Sequence, residues 1–304
     1  MSALSFHQVS KRYGRALALS ELSFEVPRGS VCALVGPNGA GKTTTMGVTA
    51  GLLRHDAGNV DILGAGAYAA SQHAGRVSLM PQDSVPSPHV SIRSLLSYYA
   101  ELQGLEPGRA RQQADLWLER VNLADRGGSR FGQLSHGMRR RFSVAQALLG
   151  EPELILLDEP TSGLDPELVV QVRQLIASLR GKATLLISSH VLSELEDLCD
   201  YVIFMEAGRA THRGSMNDVT GRASSVRITL ARAPDLTTLG AELPDHAFEW
   251  QNPCLTVRAP DGQPLEQTNQ RCLTSLLGQG VGILELSPGS SLEHAYLNTR
   301  SAKR

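Results

Sequence analysis

Residues 36–44 read Gly36-Pro37-Asn38-Gly39-Ala40-Gly41-Lys42-Thr43-Thr44, and no other stretch of this chain restricts its fold as strongly. Gly36, Gly41, Lys42 and Thr43 match the spacing G-x-x-x-x-G-K-[ST], with an apolar run at 31–35 before it and a helix-compatible stretch after it. Glycines let the backbone curl until several N–H groups point inward at phosphate oxygens. The helix that follows turns its positive end toward the same point. Lys42 is placed to reach the β- and γ-phosphates, and Thr43 to bind Mg²⁺ through its hydroxyl. An ordinary glycine-rich turn needs neither the lysine nor the threonine.

A second motif sits at 154–160, Leu154-Ile155-Leu156-Leu157-Asp158-Glu159-Pro160, where two carboxylates end an apolar strand. Asp158 is expected beside Mg²⁺. Glu159, one residue on, is expected near the γ-phosphate, where it can polarise a water. Together the two motifs indicate a nucleotide triphosphatase of unspecified kind. Further short apolar runs at 183–188 and 201–205, separated by helical stretches, predict a buried and mainly parallel sheet.

Between Gln82 and Gly150 the pattern turns helical. Ile92, Leu95, Leu96 and Tyr99 share one helix face, as do Ala110, Ala114, Trp117 and Val121. This block predicts a helical insertion in the sheet. After Gly214 the composition changes. Val226, Ile228 and Leu230 alternate as in a strand, and Pro234 can begin a helix carrying Leu236, Leu239 and Leu243. Residues 247–250 and 255–258 read as strands around Asn252-Pro253. Pro264 begins a helix with Leu273, Leu276 and Leu277, and 281–286 closes the unit as a strand. That order, β-α-β-β-α-β, predicts a ferredoxin-like unit.

The length, 304 residues, favours two domains. With 29 Lys+Arg against 30 Asp+Glu, the net charge of −1 argues against a generally basic nucleic-acid binder. The longest apolar runs are far short of the ~18 residues of a membrane span, and residues 1–9 lack the features of a signal peptide. Cys32, Cys199, Cys254 and Cys272 are scattered, without metal-ligand spacing, so a reduced, cytosolic protein is expected.

Leu134-Ser135-His136-Gly137-Met138 specifies the kind of triphosphatase. With the surrounding motifs, residues 4–215 resemble the ATP-binding cassette (ABC) ATPases, whose signature is L-S-G-G-Q. Tyr13 resembles the family's adenine-stacking aromatic and Gln82 its Q-loop glutamine. Ser162-Gly163-Leu164-Asp165 is similar to the D-loop, and His190, after Ser188-Ser189, to the switch histidine. The resemblance implies a P-loop ABC ATPase core with a mainly parallel sheet, antiparallel strands near the N-terminus and an inserted helical subdomain. A small α+β C-terminal domain completes the expected α/β architecture. The domains expected are 1–217, with the helical subdomain at about 83–150, and 218–304. ATP and Mg²⁺ are the implied substrate and cofactor. The implied nucleotide contacts are Tyr13, the loop Gly36 to Thr44, Gln82, Ser135 and Gly137. Thr43, Gln82 and Asp158 are the implied metal ligands, and Glu159, His190, Lys42 and Gln82 the catalytic set.

In this family the signature of one cassette faces the P-loop of another, which implies a dimer of identical or homologous copies. His136 and Met138 depart from the signature. The imidazole can add a phosphate contact, or it is a tolerated outward substitution. Arg139, Arg140 and Arg141 are expected on a solvated or salt-bridging face, not on nucleic acid. Two function classes follow from the resemblance. One is the ATP-hydrolysing subunit of an exporter, peripheral on the cytoplasmic side through separate transmembrane permease subunits. The other is a soluble ABC ATPase of translation or DNA maintenance. A single motif set, and the absence of sustained heptads in the about 90 residues between P-loop and signature, favour the exporter. The segment Ser291 to Leu297 is similar to the S-L-E-x-x-[FY]-L ending of type-2 exporter ATPases. It is expected to dock as a helix through Leu292, Ala295, Tyr296 and Leu297.

Overall fold

The computed structural model describes residues 1–83, 86–222, 224–260 and 262–301. Ser84 and Val85, at the start of the expected helical insertion, lie outside the described residues, as do 302–304 at the end of the expected second domain. The chain divides into two compact units, Met1–Arg213 and Gly214–Arg304.

The first unit opens with β1 (Ser2–Tyr13) and β2 (Ala16–Pro27), followed by β3 (Val31–Val35), α1 (Lys42–Thr49), β4 (Ala57–Ile62), α2 (Ala70–His73) and β5 (Val77–Met80). Helices α3 (Ile92–Leu102), α4 (Pro107–Arg120) and α5 (His136–Ala147) come next. The sheet pattern resumes with β6 (Leu154–Asp158), α6 (Pro166–Ala177), β7 (Thr184–Ser188), α7 (Leu192–Glu196), β8 (Tyr201–Glu206) and β9 (Arg209–Ser215). Strands β2-β1-β4 form an antiparallel sheet. Six more run β5-β6-β7-β3-β8-β9, and the four neighbouring pairs from β5 to β8 are parallel. Every residue of β3, β6 and β7 is buried, as expected of strands covered on both faces. Each such Leu, Val or Ile contributes about 1.5–3 kcal/mol over exposure. Phe6 and Phe24 stack at 4.7 Å in the core between the sheets.

The helical insertion forms where the sequence pattern changes period. Ser91 caps α3, its hydroxyl accepting the Ser94 N–H at 3.2 Å, and Ile92, Leu95 and Leu96 turn inward. Pro107 opens α4, whose buried face is Ala110, Ala114 and Trp117. Ser135 caps α5 by accepting the Met138 N–H at 3.3 Å.

In the second unit α8 (Met216–Thr220) precedes β10 (Ser225–Leu230), α9 (Leu236–Glu242), β11 (Ala247–Gln251), β12 (Cys254–Arg258), α10 (Leu265–Gly278), β13 (Ile283–Pro288) and α11 (Leu292–Ser301). The antiparallel sheet runs β11-β12-β10-β13, the strand order of a ferredoxin-like unit. Its core gathers Val226, Ile228, Leu230, Leu239, Leu243, Leu255, Val257, Cys272 and Leu276. Three details differ from the sequence reading. Asp235, not Pro234, caps α9, its carboxylate accepting the Thr237 N–H at 2.9 Å. Leu277 is exposed, because the i, i+3, i+4 stripe of α10 that meets the sheet is carried by Thr268, Cys272, Ser275 and Leu276. The last strand begins at Ile283, two residues after the expected start, since Val281 folds into the core. On α11, Leu292 and Ala295 are buried, while Leu297 is half exposed.

Among the described residues no helix is long and apolar enough to cross a membrane. The four cysteines are free, and burial raises the Cys272 thiol to about 11.

Candidate functional site

Parallel neighbours bring their carboxyl ends to one edge, and the motifs occupy that edge. The glycine-rich loop follows β3, Asp158 and Glu159 end β6, Ser188-Ser189-His190 end β7, and Gln82 follows β5. Such an edge is where ligands bind in open α/β sheets. Residues far apart in the chain thereby form one hydrogen-bonded cluster.

The loop is shaped by close approach. A β-carbon on Gly36 would stand 2.4 Å from the Met205 carbonyl oxygen in β8, so only glycine passes there. Gly39 turns at φ 80° into open space. The loop is closed by the Ala40 N–H donating to Pro37 O at 3.1 Å and anchored by the Gly208 N–H donating to Ala40 O at 3.0 Å. Lys42 is buried, and its ammonium donates to Gly36 O at 2.7 Å and Pro37 O at 3.1 Å. Burial pushes its pKa down, while the carboxylates of Glu159 and Asp158 push it back up. The ammonium is thus folded onto its own loop.

Asp158 is 2% exposed and fully engaged. Thr43 Oγ1 donates to Oδ2 at 2.9 Å, and the Ser188 hydroxyl donates to Oδ1. Glu159 sits at φ 53°, a left-handed conformation for a residue with a β-carbon. Its N–H is held by Ser188 O at 3.1 Å and Ser188 Oγ at 3.0 Å. That geometry turns its carboxylate out of the strand, where Oε2 meets His190 Nδ1 at 3.1 Å. The carboxylate is nearly buried, whereas the imidazole is largely exposed. The strand ends thus bring a nearly buried carboxylate and an exposed histidine into contact on the edge that carries the glycine-rich loop.

The remaining expected residues are placed around this cluster. The Gln82 side chain is exposed, and its backbone carbonyl accepts Arg140 Nη1 at 2.7 Å. Tyr13 stands at the end of β1, its ring exposed and 5.7 Å from the Lys11 ammonium. Ser135 and Gly137 lie on the helical insertion, outside the cluster. The His136 ring is seated on the D-loop of its own chain: a β-carbon on Gly163 would lie 2.6 Å from its Cε1. Asp165 ends that loop as the cap residue of α6.

The arginine triplet departs from expectation. Arg139 is exposed, with its guanidinium 5.5 Å from the Phe131 ring. Arg140 and Arg141 are buried, and the bonds they make run to backbone carbonyls. Arg141 Nη1 donates to Val121 O and Asn122 O, each at 2.8 Å. Arg140 donates to Gln82 O, to Asp158 O at 3.0 Å and to Glu159 O. Residues 140 to 145 of α5 are all buried, so Arg140 and Arg141 begin the stretch of the helix that is covered on every side, while Arg139 precedes it. Ser188, which ties the end of β7 to the Asp158 carboxylate and the Glu159 N–H at the end of β6, carries no local mark in the sequence.

Comparison with known proteins comes to the same region. The family model described as ABC transporter matches residues 19–162. The Nod factor export ATP-binding protein I of Burkholderia orbicola is 36% identical over 248 residues, which cover 80% of this chain and 81% of that protein. Daunorubicin resistance ATP-binding protein DrrA3 of Streptomyces coeruleorubidus is 38% identical, over 80% of this chain and 78% of its own. Linearmycin resistance ATP-binding protein LnrL of Bacillus subtilis is 31% identical, over 72% and 71%. Among solved structures, the ATP-binding subunit of an ABC transporter aligns with TM-score 0.66 and 27% identity, over 73% of this chain and 93% of that one. A nucleotide-free ATP-binding cassette from an ABC transporter aligns with TM-score 0.63 at 24% identity, over 71% and 92%, a likeness of fold.

Proposed function

The chain belongs to the ABC transporter family, and from that premise we propose that it is the ATP-hydrolysing subunit of an exporter, moving separate transmembrane subunits. The observation that carries the proposal is the contact of Glu159 Oε2 with His190 Nδ1 beside the phosphate loop. Glu159 takes a proton from a water as its oxygen bonds to the γ-phosphorus and the bond to the bridging oxygen breaks. His190 holds the carboxylate in register. Lys42 leaves the carbonyls of Gly36 and Pro37 for the β- and γ-phosphate oxygens, while the N–H groups of the loop from Gly36 to Thr44 wrap the phosphates. Tyr13 offers its exposed ring to the adenine.

Thr43 and Asp158 present hard oxygen donors 2.9 Å apart, a donor set that suits Mg²⁺, and together with the Gln82 side chain they would hold the ion. When bound, the ion supplies positive charge to the β- and γ-phosphate oxygens. Ser135 and Gly137 serve the nucleotide of a second copy, so the working unit is a dimer with two sandwiched ATP molecules. Binding closes the pair, and hydrolysis lets it reopen. The protein then sits at the cytoplasmic face of a membrane through its permease, and residues 218–304 form an accessory domain. The relatives named for export and drug resistance favour this reading over a soluble ATPase of translation or DNA maintenance.

Substituting Glu159→Gln keeps the shape and removes the base. Nucleotide affinity is expected to stay within about threefold while phosphate release slows about 10²–10⁴-fold. Phosphate release at the wild-type rate would reject Glu159 as the base.

A further inference from the structure

We propose that Arg140 is the positioning residue through which the helix carrying Ser135 controls the catalytic carboxylate. The proposal rests on the reading of Glu159 as the base. Arg140 is 7% exposed, and its guanidinium reaches two neighbouring strand ends at once. Nη1 donates to Gln82 O, after β5, and Nη2 donates to Asp158 O and Glu159 O, at the end of β6. One planar fork therefore joins α5, the Gln82 segment and the backbone of the hydrolytic motif.

The chemistry of the contact argues for position over bulk. Burying a charge is costly, and an apolar side chain of the same volume would fill the space at less expense. Here the charge is spent on carbonyl dipoles, and Nε has no hydrogen-bond partner among the described residues. The carbonyl it grips belongs to a residue in a left-handed backbone, at φ 53°, which relaxes unless its neighbours hold it. The Ser162 N–H also donates to Glu159 O, at 3.1 Å. A shift of α5 therefore pulls the peptide that aims Glu159. The same shift reaches Gln82, so two neighbouring strand ends of the catalytic edge answer to one side chain. Lysine keeps the charge but cannot span these carbonyls, having a single nitrogen.

The test uses the full chain with Arg140→Lys and Arg140→Gln, each alone and combined with Glu159→Gln. ATP affinity, thermal melting, kcat and KM are measured. Both single variants are expected to bind ATP within about threefold of wild type and to lose about a hundredfold in kcat. In the Glu159→Gln background the same substitutions should cost less than about twofold, because their effect passes through the missing carboxylate. A wild-type kcat in either folded variant, or an equal loss in both backgrounds, overturns the proposal. If neither variant folds and binds ATP, Arg140 is a folding residue and the proposal falls. Equal turnover by wild type and Glu159→Gln is a separate outcome, one that removes the reading of Glu159 itself.

Discussion

Glu159 holds a backbone conformation that costs a residue with a β-carbon about 1–2 kcal/mol, and its surroundings offset that cost with a hydrogen bond that it donates to Ser188 and one that it accepts from Arg140. The glycines of the phosphate loop show the opposite economy, each absent a side chain for its own reason. At Gly36 an added β-carbon meets the Met205 carbonyl at 2.4 Å, a backbone atom that cannot step aside. At Gly39 it meets nothing within 4 Å, and the penalty is the positive φ alone. Gly36→Ala is therefore expected to destabilise by about 3 kcal/mol, and Gly39→Ala by about 1 kcal/mol. Urea denaturation of the two variants checks the order, and a costlier Gly39→Ala would refute the reading of Gly36 as a close-approach position.

Among the elements, one carboxylate just before β6 joins two other segments of the chain. Glu153 takes a hydrogen bond from Arg76 Nε at 2.6 Å and another from Arg28 Nη2. The Arg76 hydrogen bond, opposed by slight burial and reinforced by Arg28, holds the Glu153 carboxyl below its usual range. Its folded pKa thus lies below the unfolded value of about 4.3. The stability it contributes is complete above that value and is lost as pH falls through the folded pKa. The pair is more than a third exposed, so screening leaves roughly 0.5–1 kcal/mol. Glu153→Gln is expected to show that deficit at pH 7 and to converge on wild type in strong acid. An equal deficit at both pH values would mean that packing, not charge, is what the substitution disturbs. The same scale explains the arginine triplet, since residues 140 to 145 of α5 are buried all round and Arg139 lies just before them.

At the scale of the molecule, Ser135 and Gly137 lie on the insertion while Lys42, Asp158, Glu159 and His190 gather at the sheet edge, consistent with a site completed by a second copy. Specific ATPase activity should then rise with protein concentration before it levels off. Activity proportional to protein from the lowest concentration upward would count against a reversible dimer. The second unit encloses a core of its own, with Val226, Leu239, Leu255 and Leu276 at its centre.

Periodicity and motif spacing are local records, and they were enough for β3, β6, β7 and β8, the phosphate loop, the helical insertion and the β-α-β-β-α-β order of the C-terminal unit. By themselves they determined that this chain carries a glycine-rich loop on an α/β core. Only the tertiary structure decided which strand ends lie side by side, that Ser188 bridges Asp158 to the backbone of Glu159, and that Arg140 grips three carbonyls from two segments. The reason is physical. A strand or helix is written in neighbours a few residues apart, whereas the partners of Arg140 and Ser188 are chosen by sheet order and helix phase, which exist only once the chain has packed.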